Sequence, residues 1–211
     1  MSTAMNTYPD SLGCPARLNP LAVARTDSLA FQFERGCWES ALEKLSQLQF
    51  RAAIVGPKGS GKTTLLEQLQ MRLVAMGYHC ALRRAPSARV EQAILLANAK
   101  ELPSNSLLLL DSAEQLSRSN RRALLRESEC RSLGLVVTTH RAEFLPTWVE
   151  CRTSPELMHS LLKQLLPADR SKWEPLANEA FRKHQGNIRE VFRELYDRYA
   201  SGELVCSTGT A

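Results

Sequence analysis

At 211 residues, 44% hydrophobic and 23% charged, the chain can bury one sizeable core, or one core with a small helical appendage, and its composition excludes an intrinsically disordered protein. A formal net charge of +5 suits an anionic ligand but is too weak to argue for nucleic acid by itself. Six scattered cysteines (Cys14, Cys37, Cys80, Cys130, Cys151 and Cys206) include no C-x-x-C pair, so they lack zinc-site spacing and read as free thiols in a reducing compartment.

Residues 1–20 are rich in Ser, Thr, Pro and Asn and read as a flexible N-terminal tail without a secretory signal. Residues 39–48 set Ala41, Leu42, Leu45 and Leu48 at helical spacing. A short apolar strand follows at 51–56, ending in glycine. Residues 64–76 then put Leu65, Leu66, Leu69, Leu73 and Met76 on one helical face, with Gly77 as the stop. Residues 78–82 read as a second strand. A second helix over 87–100 is expected to turn Val90, Ala93, Ile94 and Ala97 inward. Pro103 and Asn105 break the chain. Residues 106–110 form a continuous apolar run ending in Asp111, as in a strand buried on both faces. A helix over about 112–130, a buried strand over 133–138 and a last strand over 147–152 complete this part. The longest apolar run, 107–110, is too short to cross a bilayer, and the expected location is cytoplasmic.

After Arg152 the pattern changes to helices alone, at 155–166, about 172–184 and 188–199. The expectation is a three-layer α/β core with a mainly parallel sheet over 21–152, a small all-helical lid over 153–200, and a disordered tail over 201–211.

The strongest chemical signal is Gly56-Pro57-Lys58-Gly59-Ser60-Gly61-Lys62-Thr63, between an apolar strand and an amphipathic helix. Its glycines allow a tight turn, so that several backbone N–H groups point at the same phosphate oxygens. The helix that follows adds its positive N-terminal dipole. Lys62 places a cation at the β- and γ-phosphates, and the Thr63 hydroxyl can hold magnesium. This is a phosphate-binding loop for ATP or GTP, with nucleotide contacts expected from residues 56–63 and from Thr64. Asp111 ends a buried strand, so its carboxylate should emerge at the C-terminal edge of the sheet and hold magnesium; a helix cap is the alternative.

Hydrolysis requires a group that orients or deprotonates water. The residue after Asp111 is Ser112, and the nearest carboxylate is Glu114, which reads either as that base or as a residue paired with a helix dipole. Thr138, Thr139 and His140 end a second buried strand, where one of them could sense the γ-phosphate; Thr139 is the nucleotide-contacting candidate. Arg189 sits in the first turn of the last helix, where the dipole disfavours a cation. It therefore either faces an anion such as the nucleotide or is solvated beside Glu190. Arg118, Arg122 and Arg126 share a helical face, close to Arg121 and Arg131. That face is open to three readings: solvated, an arginine finger for a neighbouring subunit, or a nucleic-acid contact. No aromatic residues interleave, which disfavours single-stranded nucleic acid.

In this order the motifs resemble those of the bacterial AAA-type ATPases of the additional-strand P-loop class. The resemblance rests on the 56–63 loop, 107–110 with Asp111-Ser112-Ala113-Glu114, the 136–139 strand, and Gly186-Asn187-Ile188-Arg189-Glu190. Asn19-Pro20-Leu21 resembles the Asn-Pro-Phe segment that lies near the adenine in one group of them. The resemblance implies ATP, magnesium, a helical lid carrying Arg189, a protein partner and ring assembly. The family's catalytic glutamate falls on Ser112, which implies a slow ATPase or a nucleotide-dependent switch. Two other readings stay open: a small-molecule kinase, and a non-hydrolysing, nucleotide-gated binding module.

Overall fold

The computed structural model describes residues 18–166 and 170–204. The expected tail segments 1–17 and 205–211, with Cys14 and Cys206, lie outside the described residues. The elements run α1 Val23–Thr26, α2 Trp38–Gln47, β1 Arg51–Val55, α3 Lys62–Ala75, β2 Cys80–Arg84, α4 Arg89–Glu101, β3 Leu107–Asp111, a 3₁₀ turn Ala113–Gln115, α5 Arg118–Cys130, β4 Gly134–Thr139, β5 Thr147–Glu150, α6 Pro155–Leu165, α7 Arg170–Lys183 and α8 Ile188–Ala200. The described residues divide into two compact units, 30–152, and 18–29 with 153–166 and 170–204.

The larger unit holds one five-stranded sheet in the order β2-β3-β4-β1-β5, with every pairing parallel. Period-two alternation sorts its side chains into two cores. Ile54, Leu107, Leu109 and Val136 face α2 and α3, where Leu45, Leu65, Leu66, Leu69 and Leu73 are fully buried. Ala53, Leu108, Leu110, Leu135 and Val137 face α4 and α5. Every residue of β3 and β4 is buried because helices cover both faces, which is why these strands read as unbroken apolar runs. On the β5 side, Trp148 Nε1 donates to the Ala41 carbonyl at 2.7 Å and Lys44 Nζ to the Trp148 carbonyl at 2.6 Å, tying α2 to the sheet.

Two local readings are corrected. First, α4 buries Gln92, Leu95 and Ala99, and turns Val90, Ala93, Ile94 and Ala97 outward, with Val90 75% exposed. Both faces of this helix carry apolar residues, and a polar residue decides between them. Buried Gln92 accepts from Ser117 N and Asn120 Nδ2, and its Nε2 donates to the carbonyls of Pro86 and Gln115. Second, the helix expected over 112–130 begins at Arg118. Ser112 has a left-handed φ of 60°, a single 3₁₀ turn follows, and Ser117 caps α5 by accepting from Asn120 N.

The smaller unit packs α6, α7 and α8 around Met158, Leu162, Trp173, Ala177, Ala180, Val191 and Leu195. Asn19 and Leu204, assigned from sequence to the tails, and Leu21, assigned to the α/β core, also belong to this unit. Asn19 is fully buried, its Nδ2 donating to the Tyr196 carbonyl and its Oδ1 accepting from Leu21 N, both at 2.9 Å. Leu21 and Leu204 are buried beside it.

Glu194 on α8 ties that helix to α7 through Lys183 at 2.9 Å and His184 at 2.7 Å, and also pairs with Arg198 at 2.8 Å. Hydrogen bonds from Lys183 and Arg198, with a smaller one from His184, outweigh burial and hold its carboxyl down at about 2. A carboxylate with a depressed folded-state pKa stabilises the fold above its unfolded value, and that stability is lost as pH falls through the folded value. Allowing for screening, Glu194→Gln should cost about 1 kcal/mol near neutral pH in urea denaturation. The gap between variant and wild type should close as pH falls from 4.5 towards about 2. A gap that stays constant over that window would remove the electrostatic explanation.

Candidate nucleotide site

The sheet order creates the site. β4 lies between β3 and β1, so its exit falls between the strand end that carries Asp111 and the loop that leaves β1. Gly56 N donates to the Thr139 carbonyl at 3.2 Å, so the loop starts against the end of β4. A Cβ at Gly56 would collide with the Cys151 carbonyl oxygen, so only glycine fits there. Gly59 and Gly61 have φ of 74° and 83°, in the left-handed region that other residues resist. α3 starts directly after Gly61 with no side-chain cap and no acidic residue in its first turn. Its leading N–H groups, those of Thr63 and Thr64 among them, are therefore left for an anion.

Within the loop, Ser60 is buried and its hydroxyl donates to the Pro57 carbonyl at 2.9 Å, while Pro57 and Lys58 are exposed. Lys62 Nζ donates to the carbonyls of Gly56 at 2.8 Å and Pro57 at 2.7 Å, which holds the ammonium over the cradle. Behind the loop, burial pushes the Cys151 thiol up to about 12, against a smaller opposing pull from Lys62, so Cys151 is a packing residue rather than a nucleophile.

Asp111, Thr63 and Thr138 meet on one face of the sheet. Thr63 Oγ1 donates to the Asp111 carboxylate at 3.2 and 3.3 Å. Thr138 Oγ1 donates to Asp111 Oδ1 at 2.6 Å and accepts from Ser112 N at 2.7 Å. Thr138 thus holds both the carboxylate and the strained backbone after it. Thr139 points to the other side: its hydroxyl donates to the Arg141 carbonyl at 3.2 Å, a local turn contact. The strand alternation sets this choice. Thr138 shares a face with Val136 and the α3 side, whereas Thr139 follows Val137 on the α4 side. Sequence reading named the three residues and chose Thr139; the register Ile54↔Thr138 instead sets Thr138 against Asp111.

Glu114 lies in the 3₁₀ turn rather than in the first turn of α5. His140 Nε2 stands 3.4 Å from its Oε1, and its Oε2 is buried without a hydrogen-bond partner among the described residues. Arg189 belongs to the smaller unit, exposed in the first turn of α8, where Asn187 supplies the cap to Glu190 N. Arg118, Arg122 and Arg126 are exposed along α5, and Arg121 folds back to donate to the carbonyls of Leu116 and Glu114.

The donor set fits a magnesium nucleotide. Uncapped helix N–H groups and left-handed glycines form an anion cradle, and the Thr63 hydroxyl and Asp111 carboxylate are hard oxygen donors already within 3.2 Å of each other. Among the described residues no group of three or more His, Cys, Asp or Glu could hold a metal alone, so phosphate oxygens and water would complete the shell.

The larger unit is a P-loop nucleoside-triphosphatase fold. Among solved structures, the chain is similar to a point mutant of RuvB from Thermotoga maritima (18% identity, TM-score 0.55, covering 77% of this chain and 61% of that one). It is also similar to AMPPCP-bound DnaA from Aquifex aeolicus (18% identity, TM-score 0.56, covering 82% of this chain and 65% of that one). A DNA replication initiation factor matches at 17% identity with a TM-score of 0.54, covering 78% of this chain and 61% of that one. The chain thus has the fold of the AAA-type P-loop ATPases, and spans less than two thirds of each of these structures. No protein-family model matches it, and no curated protein matches it in sequence. Among the described residues no helix is long and apolar enough to cross a membrane.

Proposed function

We propose that this protein binds ATP with magnesium and hydrolyses it slowly, using nucleotide state to control a partner interaction. The observation that carries the reading is the convergence of the uncapped α3 N-terminus, the Lys62 ammonium and the Thr63–Asp111 pair at one end of the sheet. DnaA, with the same fold, has been seen with AMPPCP, an ATP analogue, which favours ATP as the ligand. Thr63 and Asp111 would hold magnesium, which supplies charge neutralisation at the phosphates when bound. Lys62 would bind the β- and γ-phosphates, and the 56–61 backbone would orient them. Binding of fluorescent ATP with and without magnesium, followed by phosphate release, tests the reading; no saturable binding would sink it.

Arg189 and the helical unit enter as a second part of the proposal: a lid that responds to the γ-phosphate. An exposed arginine in a helix's first turn is disfavoured by the dipole unless an anion comes near. A ligand can shift a conformation only through contacts that differ between states. Arg189→Ala should therefore weaken ATP several-fold more than ADP, and should blunt ATP-dependent hydrogen-exchange protection over residues 155–200. Equal losses for both nucleotides would leave Arg189 a solvated residue. A kinase reading would require phosphate transfer to an added acceptor in the same assay, and a non-hydrolysing module would bind without phosphate release.

A further inference from the structure

We propose that His140 is the general base for ATP hydrolysis, oriented by Glu114; this rests on the ATPase reading above. The position directly after Asp111, at the mouth of the site, carries Ser112, a hydroxyl that is a poor base near neutrality. An imidazole is the ordinary side chain that can take a proton there. His140 follows β4, whose exit lies between the phosphate loop and Asp111. On one side the preceding Thr139 carbonyl accepts from Gly56 N of the loop, and on the other Thr138 holds Asp111. His140 is half-buried, so it can meet a water without being sealed from it.

Glu114 supplies the orientation. Its Oε1 lies 3.4 Å from His140 Nε2; a carboxylate on that side favours the tautomer with the proton on Nε2, which would leave the Nδ1 lone pair for water. Its Oε2 is buried with no hydrogen-bond partner among the described residues. A carboxylate at this distance stabilises positive charge that forms on the ring. Charged groups on the neighbouring elements include Asp111 on β3, Lys62 over the loop that begins against Thr139, Arg121 on α5, whose guanidinium donates to the Glu114 carbonyl at 2.8 Å, and Arg141 and Glu143 next along the chain.

The step balances without a further reactant. Water attacks the γ-phosphorus as its proton moves to His140 Nδ1. The bond from the γ-phosphorus to the bridging oxygen breaks, and its electron pair leaves with ADP. The imidazolium stays paired with Glu114 until its proton returns to solvent. Histidine is the base and touches the reacting water; Glu114 acts through it as a positioning residue.

The test measures phosphate release across about pH 5 to 8, where imidazole titrates, for wild type, His140→Asn, His140→Gln and Glu114→Gln. Fluorescent-ATP affinity and circular dichroism are recorded for each. Expected are a fall in kcat of about a hundredfold in both His140 variants, with ATP affinity kept and the acidic limb of the rate profile gone. Glu114→Gln should keep that limb, which His140 carries, and lower kcat by about tenfold with KM unchanged. Wild-type kcat and profile in a folded His140 variant would overturn the assignment. So would a wild type that binds ATP without hydrolysing it, which would leave nucleotide binding standing. Failure of the wild type to bind ATP would overturn the reading beneath it.

Discussion

Lys62→Ala is expected to weaken ATP binding by tenfold to a hundredfold while the chain still folds. The ammonium is one cation held over one phosphate cradle, and a charge-assisted hydrogen bond contributes about 1.5–3 kcal/mol. At about 1.4 kcal/mol per decade this gives the stated range. The variant is not silent in the empty protein. Lys62 Nζ donates to the carbonyls of Gly56 and Pro57; its loss takes that donor from both, while the Pro57 carbonyl keeps the Ser60 hydroxyl. Pro57 is exposed and water can replace the lysine there; Gly56 is buried and is less easily served. A stability cost of about 1 kcal/mol follows, or a fall in Tm of about 2–4 °C for a chain of this size. Isothermal titration with ATP and a melting curve on the same sample separate the two effects. Unchanged affinity would remove the nucleotide assignment, whatever happens to Tm.

Much of this architecture can be read in the residues, and the places where reading fails share a cause. β3 and β4 are legible because strands covered on both faces need no alternation, so Leu107–Leu110 and Leu135–Val137 stand out as runs. The loop is legible because its backbone requires glycine at positions where a Cβ has no room or φ is positive. α4 misleads because Val90, Ala93, Ile94 and Ala97 form as good a stripe as the face that is buried. Only the hydrogen bonds of Gln92 to residues 115–120 reveal which side is inward, and those depend on tertiary structure. Ser112 misleads in a related way. Nothing local to a serine signals a left-handed φ; the conformation is held by Thr138, 26 residues away in sequence. The burial of Leu21 and Leu204 likewise depends on partners distant in the chain. Long-range partners also decide the site: Asp111 is visible as a strand end, but its pairing with Thr138 rather than Thr139 comes from register, and the His140–Glu114 contact from the packing of the 3₁₀ turn beside β4.

Asp111→Asn is expected to abolish the tightening of nucleotide binding by magnesium and to leave magnesium-free binding within about threefold of wild type. The amide matches the carboxylate in shape and keeps a carbonyl oxygen to accept from Thr138 Oγ1, whose 2.6 Å contact holds the end of β3 to β4. What it lacks is the negative charge that a hard, doubly charged cation needs beside the Thr63 hydroxyl. Asp111→Ala is the harsher probe. It leaves the Thr138 and Thr63 hydroxyls without their acceptor and loosens the network that holds Ser112 N, at a cost of about 1–3 kcal/mol in stability. The two variants together divide the roles of this residue. If Asp111 serves magnesium, both lose the magnesium effect, and Asn stays close to wild type in melting temperature. If Asp111 serves only to join β3 to β4, Asn keeps the magnesium effect and Ala alone is impaired, through unfolding. Titrations of ATP in magnesium and in EDTA, run beside melts of all three proteins, decide between these outcomes. A magnesium effect that survives in Asp111→Asn would take the metal away from this carboxylate and leave Thr63 with the phosphates alone.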